Sequence, residues 1–376
     1  MPRYVIDESA LRRNLEILKE VSTRTGVKIL LAQKAFSCAA AYPLCAKYLA
    51  GTTASSLFEA RHGREKFGGE THVFAPAFIP EEMPELLKIV DHIVFNSPKQ
   101  LEKFGMAARA AGVSIGLRVN PEVSVATTPA YDPCRPSSRL GVKRAMMGNA
   151  MVNIVDGLHF HCLCEQGVDE LREVLTGFEE KFGEFLPQMK WVNFGGGHHI
   201  TRADYDVEGL VALLNDFRSR HSHLEVYLEP GEAVALNAGT LEARILEIQP
   251  QGKDGVSNAI LDVSAACHAP DVLEMPYTPR VTGGRIVDGS CPSSSDHVYR
   301  FGGPTCLAGD EIGTYGFDHP LEEGDSVVFE DMAIYSMVKN NTFNGVNLPD
   351  IVMRREDGRI ETLRSFGYED FAMRLG

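Results

Sequence analysis

Residues 28–36 read KILLAQKAF. The first six, KILLAQ, form a short apolar run of the length and composition expected of a buried strand. Ahead of it, residues 8–24 carry Leu11, Leu15 and Leu18 at helical spacing, and Gly26 supplies a stop. Behind it the same alternation returns seven times: TTASS (52–56, placed mainly by spacing), THVFAP (71–76), HIVFNS (92–97), SIGLRVN (114–120), GLHFHC (157–162), WVNFGG (191–196) and EVYLEP (225–230). Helical stretches lie between them. Ser97-Pro98 reads as an N-cap followed by proline at the first helical position. Gly51 and Gly112 fall where helix C-caps belong, and Val168–Phe185 has an amphipathic period. Eight β-runs alternating with helices predict a (β/α)8 TIM barrel, with a doubly wound open sheet as the structural alternative.

The pattern changes after Gly231. Strand-like pieces follow without long helices: LEARILEI (241–248), NAILDV (258–263), DSVVFE (325–330) and IYSMV (334–338). The expectation is therefore an α/β chain with the barrel over 7–235 and a C-terminal β domain over 236–376, joined by residues 1–6. Residues 121–138 hold prolines at 121, 129, 133 and 136, which disfavour helix and mark a long loop of the kind that often carries function.

A length of 376 residues suits a barrel plus a second domain. With 37 basic against 51 acidic residues, the net charge of −14 argues against a nucleic-acid partner and is compatible with a cationic substrate. MPRYVIDESALRR at the start lacks the apolar core of a secretory signal. No run approaches the ~20 apolar residues of a membrane span. The cysteines, at 38, 45, 134, 162, 164, 267, 291 and 306, are scattered, and Cys162 and Cys164 are spaced poorly for zinc. No metal is expected, and reduced thiols in a cytoplasmic protein are the simplest reading.

Active sites of β/α barrels lie at the C-terminal ends of the strands. Lys34 directly follows the first run, His161 nears the end of the sixth, Gly195, Gly196 and Gly197 end the seventh, and Glu229 ends the eighth. A lysine among Leu30, Leu31, Ala32, Ala35 and Phe36 is either a desolvated Schiff-base former or a snorkelling strand-end side chain. The glycines allow backbone N–H groups to approach a phosphate, or make a tight turn. His161 could stack on an aromatic ring or pack in a core. Glu229 could face the nitrogen of a pyridine ring, keeping it protonated, or form a strand-end ion pair.

Six segments in order, LAQKAF (31–36), GLHFHCLCE (157–165), FGGGHH (194–199), LEPGE (228–232), GGPTCLAGD (302–310) and EDMAIYSMVKNNTFNG (330–345), resemble the alanine-racemase-like (fold type III) pyridoxal-phosphate (PLP) enzymes. The group is that of the ornithine, diaminopimelate and carboxynorspermidine decarboxylases. SSLFEARHG (55–63), YDPCRPSSRLG (131–141) and CHAPDVLEMPY (267–277) are similar to the carboxynorspermidine/carboxyspermidine decarboxylase branch.

The resemblance implies a set of roles. Lys34 would bond covalently to the PLP aldehyde, His161 would stack on the ring, and Arg139 would reach its hydroxyl. Gly195, Gly196 and Gly197 would hold the phosphate with Tyr335 beside it, and Glu229 would face the pyridine nitrogen. The related racemases place an arginine at that nitrogen, so the glutamate favours decarboxylation. Cys306 would protonate the substrate α-carbon, and because the matching cysteine of the family reaches the partner's site, a homodimer is implied. The chain departs from ornithine decarboxylase at two positions: Glu232 stands where an arginine binds phosphate, and Leu307 where an aspartate follows the cysteine.

The implied reaction is decarboxylation of carboxynorspermidine or carboxyspermidine to norspermidine or spermidine in polyamine biosynthesis. The tail amines need acidic or hydrogen-bonding partners; Glu232, His268, Asp271 and Glu274 are the candidates, with Tyr277 or Phe343 for cation–π contact and Asp310 as structural support. The alternatives are a diaminopimelate, ornithine or lysine decarboxylase of the same fold, or a non-catalytic PLP-binding protein. A second domain and Cys306 speak against the last.

Overall fold

The computed structural model describes residues 2–250, 252, 255–287 and 297–376; Cys291 lies outside the described residues. The chain divides into two compact units, Arg12–Val234, and the residues up to Leu11 together with Ala235–Gly376.

The N-terminal strand β1 (Arg3–Asp7) belongs to the second of these units. The strands of the first are β2 (Lys28–Ala32), β3 (Gly51–Ala54), β4 (Glu70–Phe74), β5 (His92–Phe95), β6 (Ser114–Asn120), the two-residue β7 (Val142–Lys143), β8 (Gly157–His159), β9 (Trp191–Asn193) and β10 (Glu225–Leu228). Pairing runs β2-β3-β4-β5, continues through β5–β6 to β6-β8-β9-β10, and returns from β10 to β2, with every pair parallel. The ring is closed, so the open doubly wound sheet is excluded. All eight sequence runs are present. Most strands stop short of the residues read into them: GLHFHC ends at His159 and EVYLEP at Leu228. The remaining residues leave the ladder and form the C-terminal rim.

Inside the ring, Leu30, Val94, Trp191 and Tyr227 form a buried cluster. Trp191 is the chain's single tryptophan, and its indole lies against the backbone of two neighbouring strands. A Cβ at Gly157 would stand 2.1 Å from Trp191 Cδ2, and one at Gly116 would stand 2.4 Å from Cη2. The barrel closes around this ring because those positions have no side chain. At the strand starts Lys28 pairs with Glu70 (2.6 Å) and Glu225 (2.7 Å), a supporting network on the end opposite the strand termini where barrel chemistry is found.

The helices begin where their capping residues stand. Ser56, Ser97 and Asp206 accept from the N–H groups of Glu59, Gln100 and Gly209. The amphipathic helix expected over Val168–Phe185 ends at Phe182, and a 3₁₀ turn, Gly183–Gln188, carries the rest. The proline-rich 121–138 segment holds one 3₁₀ turn, Pro129–Tyr131.

In the other unit the strands are β1, β11 (Gly239–Gln249), β12 (Ser257–Leu261), β13 (Arg285–Ile286), β14 (His297–Gly302), β15 (Glu311–Phe317), β16 (Ser326–Glu330), β17 (Asp350–Arg354) and β18 (Ile360–Arg364). They form one mixed sheet in the order β13-β15-β14-β12-β11-β1-β17-β18, with β16 also on β11. β1 lies antiparallel to β11 and parallel to β17, so the chain's start is woven into this sheet. One expected strand is absent. Ile334–Val338 turns through Tyr335 (φ +53°) into a short helix, Ser336–Lys339. Its buried positions, Met332, Ala333, Ser336 and Met337, follow a helical rather than an alternating period. Among the described residues no helix is long and apolar enough to cross a membrane.

The Trp191 contact generates a stability prediction. Gly157→Ala forces a methyl into the indole and should destabilise the protein by about 1–3 kcal/mol. Urea unfolding should show a lower midpoint with an unchanged slope; an unaltered midpoint would mean that the strands yield freely around the ring.

Candidate active site

The rim at the strand termini is built from backbone outward. After β2, Ala32 N–H bonds Pro230 O (3.2 Å) and Gln33 N–H bonds Thr53 O (3.2 Å), tying the chain to both neighbouring strands. Gln33 is buried, donating to Glu59 O (2.9 Å) and accepting from Tyr42 (3.0 Å). Ala35 and Phe36 are buried too, so this anchored turn offers Lys34 alone to solvent. Lys34 is nonetheless enclosed by its surroundings, and loss of water lowers its pKa against the opposing charge of Glu232. Exposed area combined with strong desolvation describes an amine at the floor of a hollow.

Glu229 extends from β10 into the ring. Its Oε1 accepts from Asn193 Nδ2 on β9 (2.7 Å), and its Oε2 meets His159 Nε2 on β8 (3.3 Å). Burial alone would raise its pKa; the bond to His159 and the Asn193 amide oppose that and favour the ionised carboxylate. Burial drives His159 toward its neutral form. His159 Nδ1 is buried without a hydrogen-bond partner, so the proton sits on Nε2, and a neutral imidazole donates to an ionised carboxylate.

His161 Nδ1 accepts the Gly196 N–H (2.9 Å). Burial, reinforced by the charges of Lys34 and Arg118, keeps this ring neutral. The glycine run is dictated by crowding: Gly195 and Gly197 have φ of +71° and +84°, and a Cβ at Gly196 would stand 2.3 Å from Glu229 O. Two of the three N–H groups expected to hold phosphate are already engaged, Gly195 with Asn193 Oδ1 (2.8 Å) and Gly196 with His161. A phosphate held by all three would have to displace those bonds.

Glu232 lies in the same site and pairs with His199 (2.9 Å). Arg118, which the sequence reading left without a role, is buried in β6. Its Nη2 donates to His161 O (3.0 Å), its guanidinium lies 4.6 Å from the Phe74 ring centroid, and burial lowers its pKa to about 10. The signal was present: a charge in a strand expected to be buried on both faces. Arg139 is exposed, with its charge felt at Arg118.

The candidates of the other unit divide sharply. Cys306 is exposed on the loop after β14, its N–H bonded to Asn344 Oδ1 (2.8 Å). Asp310 is buried and organises that loop, accepting from Ser264 Oγ (2.9 Å), Ala266 N (3.1 Å) and Thr305 Oγ1 (2.6 Å), which makes it a structural residue. Tyr335 is half-buried, and Tyr277 and Phe343 are exposed. His268 is corrected to a scaffold residue: it is fully buried, Nδ1 accepts from Ser264 N (3.1 Å), Nε2 bonds Asn347 O (3.1 Å), and burial lowers its pKa to about 4. Asp271 and Glu274 share the ammonium of Lys339, two carboxylates on one cation, with Asp271 buried and Glu274 exposed.

Glu70, His72 and His92 bring metal-type ligand atoms within 4.8 Å of one another. The two imidazoles are stacked, 8° from parallel with centroids 4.0 Å apart, and Lys28 already neutralises Glu70.

A desolvated amine in a hollow, a buried ionised carboxylate and a neutral imidazole fit PLP: they answer its aldehyde, its pyridine nitrogen and its ring face. Residues 3–333 match the family described as pyridoxal-dependent decarboxylase, C-terminal sheet domain. The chain belongs to this family, and it is a PLP-dependent carboxy-lyase. Among its relatives, carboxynorspermidine/carboxyspermidine decarboxylase of Campylobacter jejuni is 42% identical over 99% of this chain and 98% of that protein. Carboxyaminopropylagmatine decarboxylase of Synechocystis sp. is also 42% identical, over 100% and 95%. A crystal structure of carboxynorspermidine decarboxylase from C. jejuni complexed with norspermidine matches with a TM-score of 0.93 at 42% identity, covering 100% of this chain and 99% of that one. Diaminopimelate decarboxylase from Helicobacter pylori, 17% identical with a TM-score of 0.83 over 100% and 96%, shares the fold.

When bound, PLP supplies an electron sink for the bond that breaks. Lys34→Ala should remove the visible absorbance of lysine-bound cofactor and cut decarboxylation to below about a thousandth. Borohydride treatment followed by peptide mass mapping should find the cofactor's mass on residue 34 of the wild type alone. A wild-type spectrum in the variant would place the linkage elsewhere.

Proposed function

We propose that the protein decarboxylates carboxynorspermidine, carboxyspermidine or both, releasing norspermidine or spermidine in polyamine biosynthesis, as a cytoplasmic homodimer with shared active sites. The observation that carries this reading is the end-to-end match to the norspermidine-complexed enzyme, 42% identical with a TM-score of 0.93. The net charge of −14 accords with a cationic substrate.

In this reading Lys34 holds the cofactor covalently and yields to the substrate amine, a role suited to an amine whose pKa is lowered by burial. His161 lies on the ring face, with Arg139 toward the ring hydroxyl. The Gly195–Gly197 run and Tyr335 serve the phosphate, within the limit set by the bonds of Gly195 and Gly196. Glu229 keeps a proton on the pyridine nitrogen: a carboxylate favoured in its ionised form stays charged opposite it. The substrate carboxylate leaves as CO2, its bonding electrons remain with the α-carbon, and the Cys306 thiol of the partner subunit returns a proton there. Glu232, the largest opposing charge at Lys34, serves the substrate's cationic nitrogen.

A second reading, carboxyaminopropylagmatine as substrate, is favoured by the equal identity of the Synechocystis relative. The tails differ at the end: an ammonium is a point charge, whereas a guanidinium demands a planar, bidentate partner.

A panel on the purified PLP-loaded enzyme separates these readings. Carboxynorspermidine or carboxyspermidine should exceed carboxyaminopropylagmatine, diaminopimelate, ornithine and lysine in kcat/KM by more than about tenfold, read by the mass of the amine product. Preference for the guanidino substrate establishes the second reading, and cofactor binding with no turnover of any substrate defeats both.

The shared site has its own test. Lys34→Ala and Cys306→Ala proteins, each inactive alone, should recover about a quarter of wild-type activity when subunits are exchanged, since half the dimers would hold one intact site. Mixed dimers without recovery would assign Cys306 to its own chain.

A further inference from the structure

We propose that Arg118 is a positioning residue of the active site: its guanidinium, laid on the Phe74 ring, holds the His161 carbonyl and so fixes the imidazole that is to face the cofactor. The inference rests on the reading of His161 as the ring-facing residue and is independent of which substrate the enzyme takes.

The strand register aims Arg118 inward. On β6 and β8 the partners are Gly116↔Gly157 and Arg118↔His159. Both glycines face the Trp191 indole inside the ring. Side chains two residues apart on a strand share a face, so Arg118 and His159 stand side by side, one layer nearer the rim. Phe74, the last residue of β4, meets both. The Arg118 guanidinium lies 4.6 Å from its ring centroid, and the His159 ring is stacked on it at 5.6 Å, 22° from parallel. A planar cation laid on an aromatic face has little freedom to turn.

Stability alone does not account for a guanidinium at this position. It is buried and forms no ion pair among the described residues, and a well-packed apolar side chain would be more stable there. What the arginine adds is one aimed bond, from Nη2 to His161 O (3.0 Å). His161 lies two residues beyond the end of β8, and among the described residues no backbone N–H takes that carbonyl. Without Arg118 it would be a part-buried acceptor left unsatisfied.

The imidazole has a second anchor. Gly196 N–H bonds Nδ1 (2.9 Å), and the glycine run packs so closely that a Cβ at Gly195 would stand 2.7 Å from His161 Cβ. Backbone and ring are thus gripped from two sides, by β6 and by the turn after β9. Loss of Arg118 releases the first grip and leaves the second. Burial lowers the Lys34 pKa and the Arg118 charge adds to it, as expected of a cation held at the same rim.

The test compares Arg118→Met, Arg118→Lys, His161→Ala and the double variant of Arg118→Met with His161→Ala, each stripped of PLP and then titrated with it. Arg118→Met should bind PLP about tenfold more weakly than wild type. Its bound cofactor should lose most of its induced circular dichroism, which a change confined to fold stability leaves intact. Arg118→Lys keeps a charge and a donor but not the flat fork, and should fall between the two. The double variant should bind PLP no more weakly than His161→Ala alone, because Arg118 acts through the imidazole. Wild-type affinity and dichroism in Arg118→Met, beside a weakened His161→Ala, overturn this proposal alone. A further loss of about tenfold in the double variant over His161→Ala also overturns it. Wild-type affinity in His161→Ala defeats the assignment of His161 itself, and this inference with it. Should Arg118→Met fail to fold, the same cycle built on Arg118→Lys decides.

Discussion

The carboxylate of Glu229 is the constraint to which the rest of the site conforms. A buried charge is costly unless several hydrogen bonds are aimed at it, and those bonds come from β8 and β9, the two strands next along the ring. The register Tyr227↔Asn193↔His159 sets the donors at one level inside the barrel, two residues before Glu229 in the chain. His159 and Glu229 could share a proton in two ways. The buried, partnerless Nδ1 selects the neutral imidazole, because a proton there would be a stranded donor. The outcome is a negative charge that two neutral groups hold without cancelling it, which leaves it available to a cationic ring nitrogen.

That arrangement requires the opposite bias at Lys34. The amine must be easily deprotonated to attack an aldehyde, yet must not be driven into an apolar core. The anchored turn around Gln33 meets both needs: the backbone and its neighbours are buried, while the lysine opens onto a hollow. Glu232 partly opposes the loss of charge, and its bond to His199 limits its freedom to turn toward the lysine. Position 232 therefore tunes the amine. An arginine there would push the amine's pKa further down and would bind anions instead of amines.

The barrel was legible because its signals are local. Parallel strands buried on both faces read as compact apolar runs between helices, and even the weak TTASS run lies where the spacing puts it. Lys34, His161 and Glu229 stand out in the sequence as unusual residues at strand ends, whereas Glu232 draws notice only as a departure from the ornithine decarboxylase pattern. What escaped depended on distant partners. Nothing near Asp271 and Glu274 announces Lys339, which lies 68 and 65 residues away, and His268 meets Asn347 at a separation of 79. Arg118 was hidden by its strand context, since its role comes from His161 O and the Phe74 ring. In the other unit β14 pairs with β12 across residues with no shared local pattern, and IYSMV alternates well enough to imitate a strand.

The loop that carries Cys306 presents an exposed thiol on an anchored backbone. An exposed side chain normally loses conformational freedom when it is brought to a reacting atom, and that loss lowers the rate. Here the backbone of the loop is fixed in advance. Asp310 is buried and draws Ser264, Ala266 and Thr305 onto one carboxylate, while Asn344 holds the Cys306 N–H. Glu229 in the barrel does the same with Asn193 and His159. In both units a buried acid saturated with donors supports the candidate chemical group: in one, the acid is itself that group, and in the other it positions the thiol.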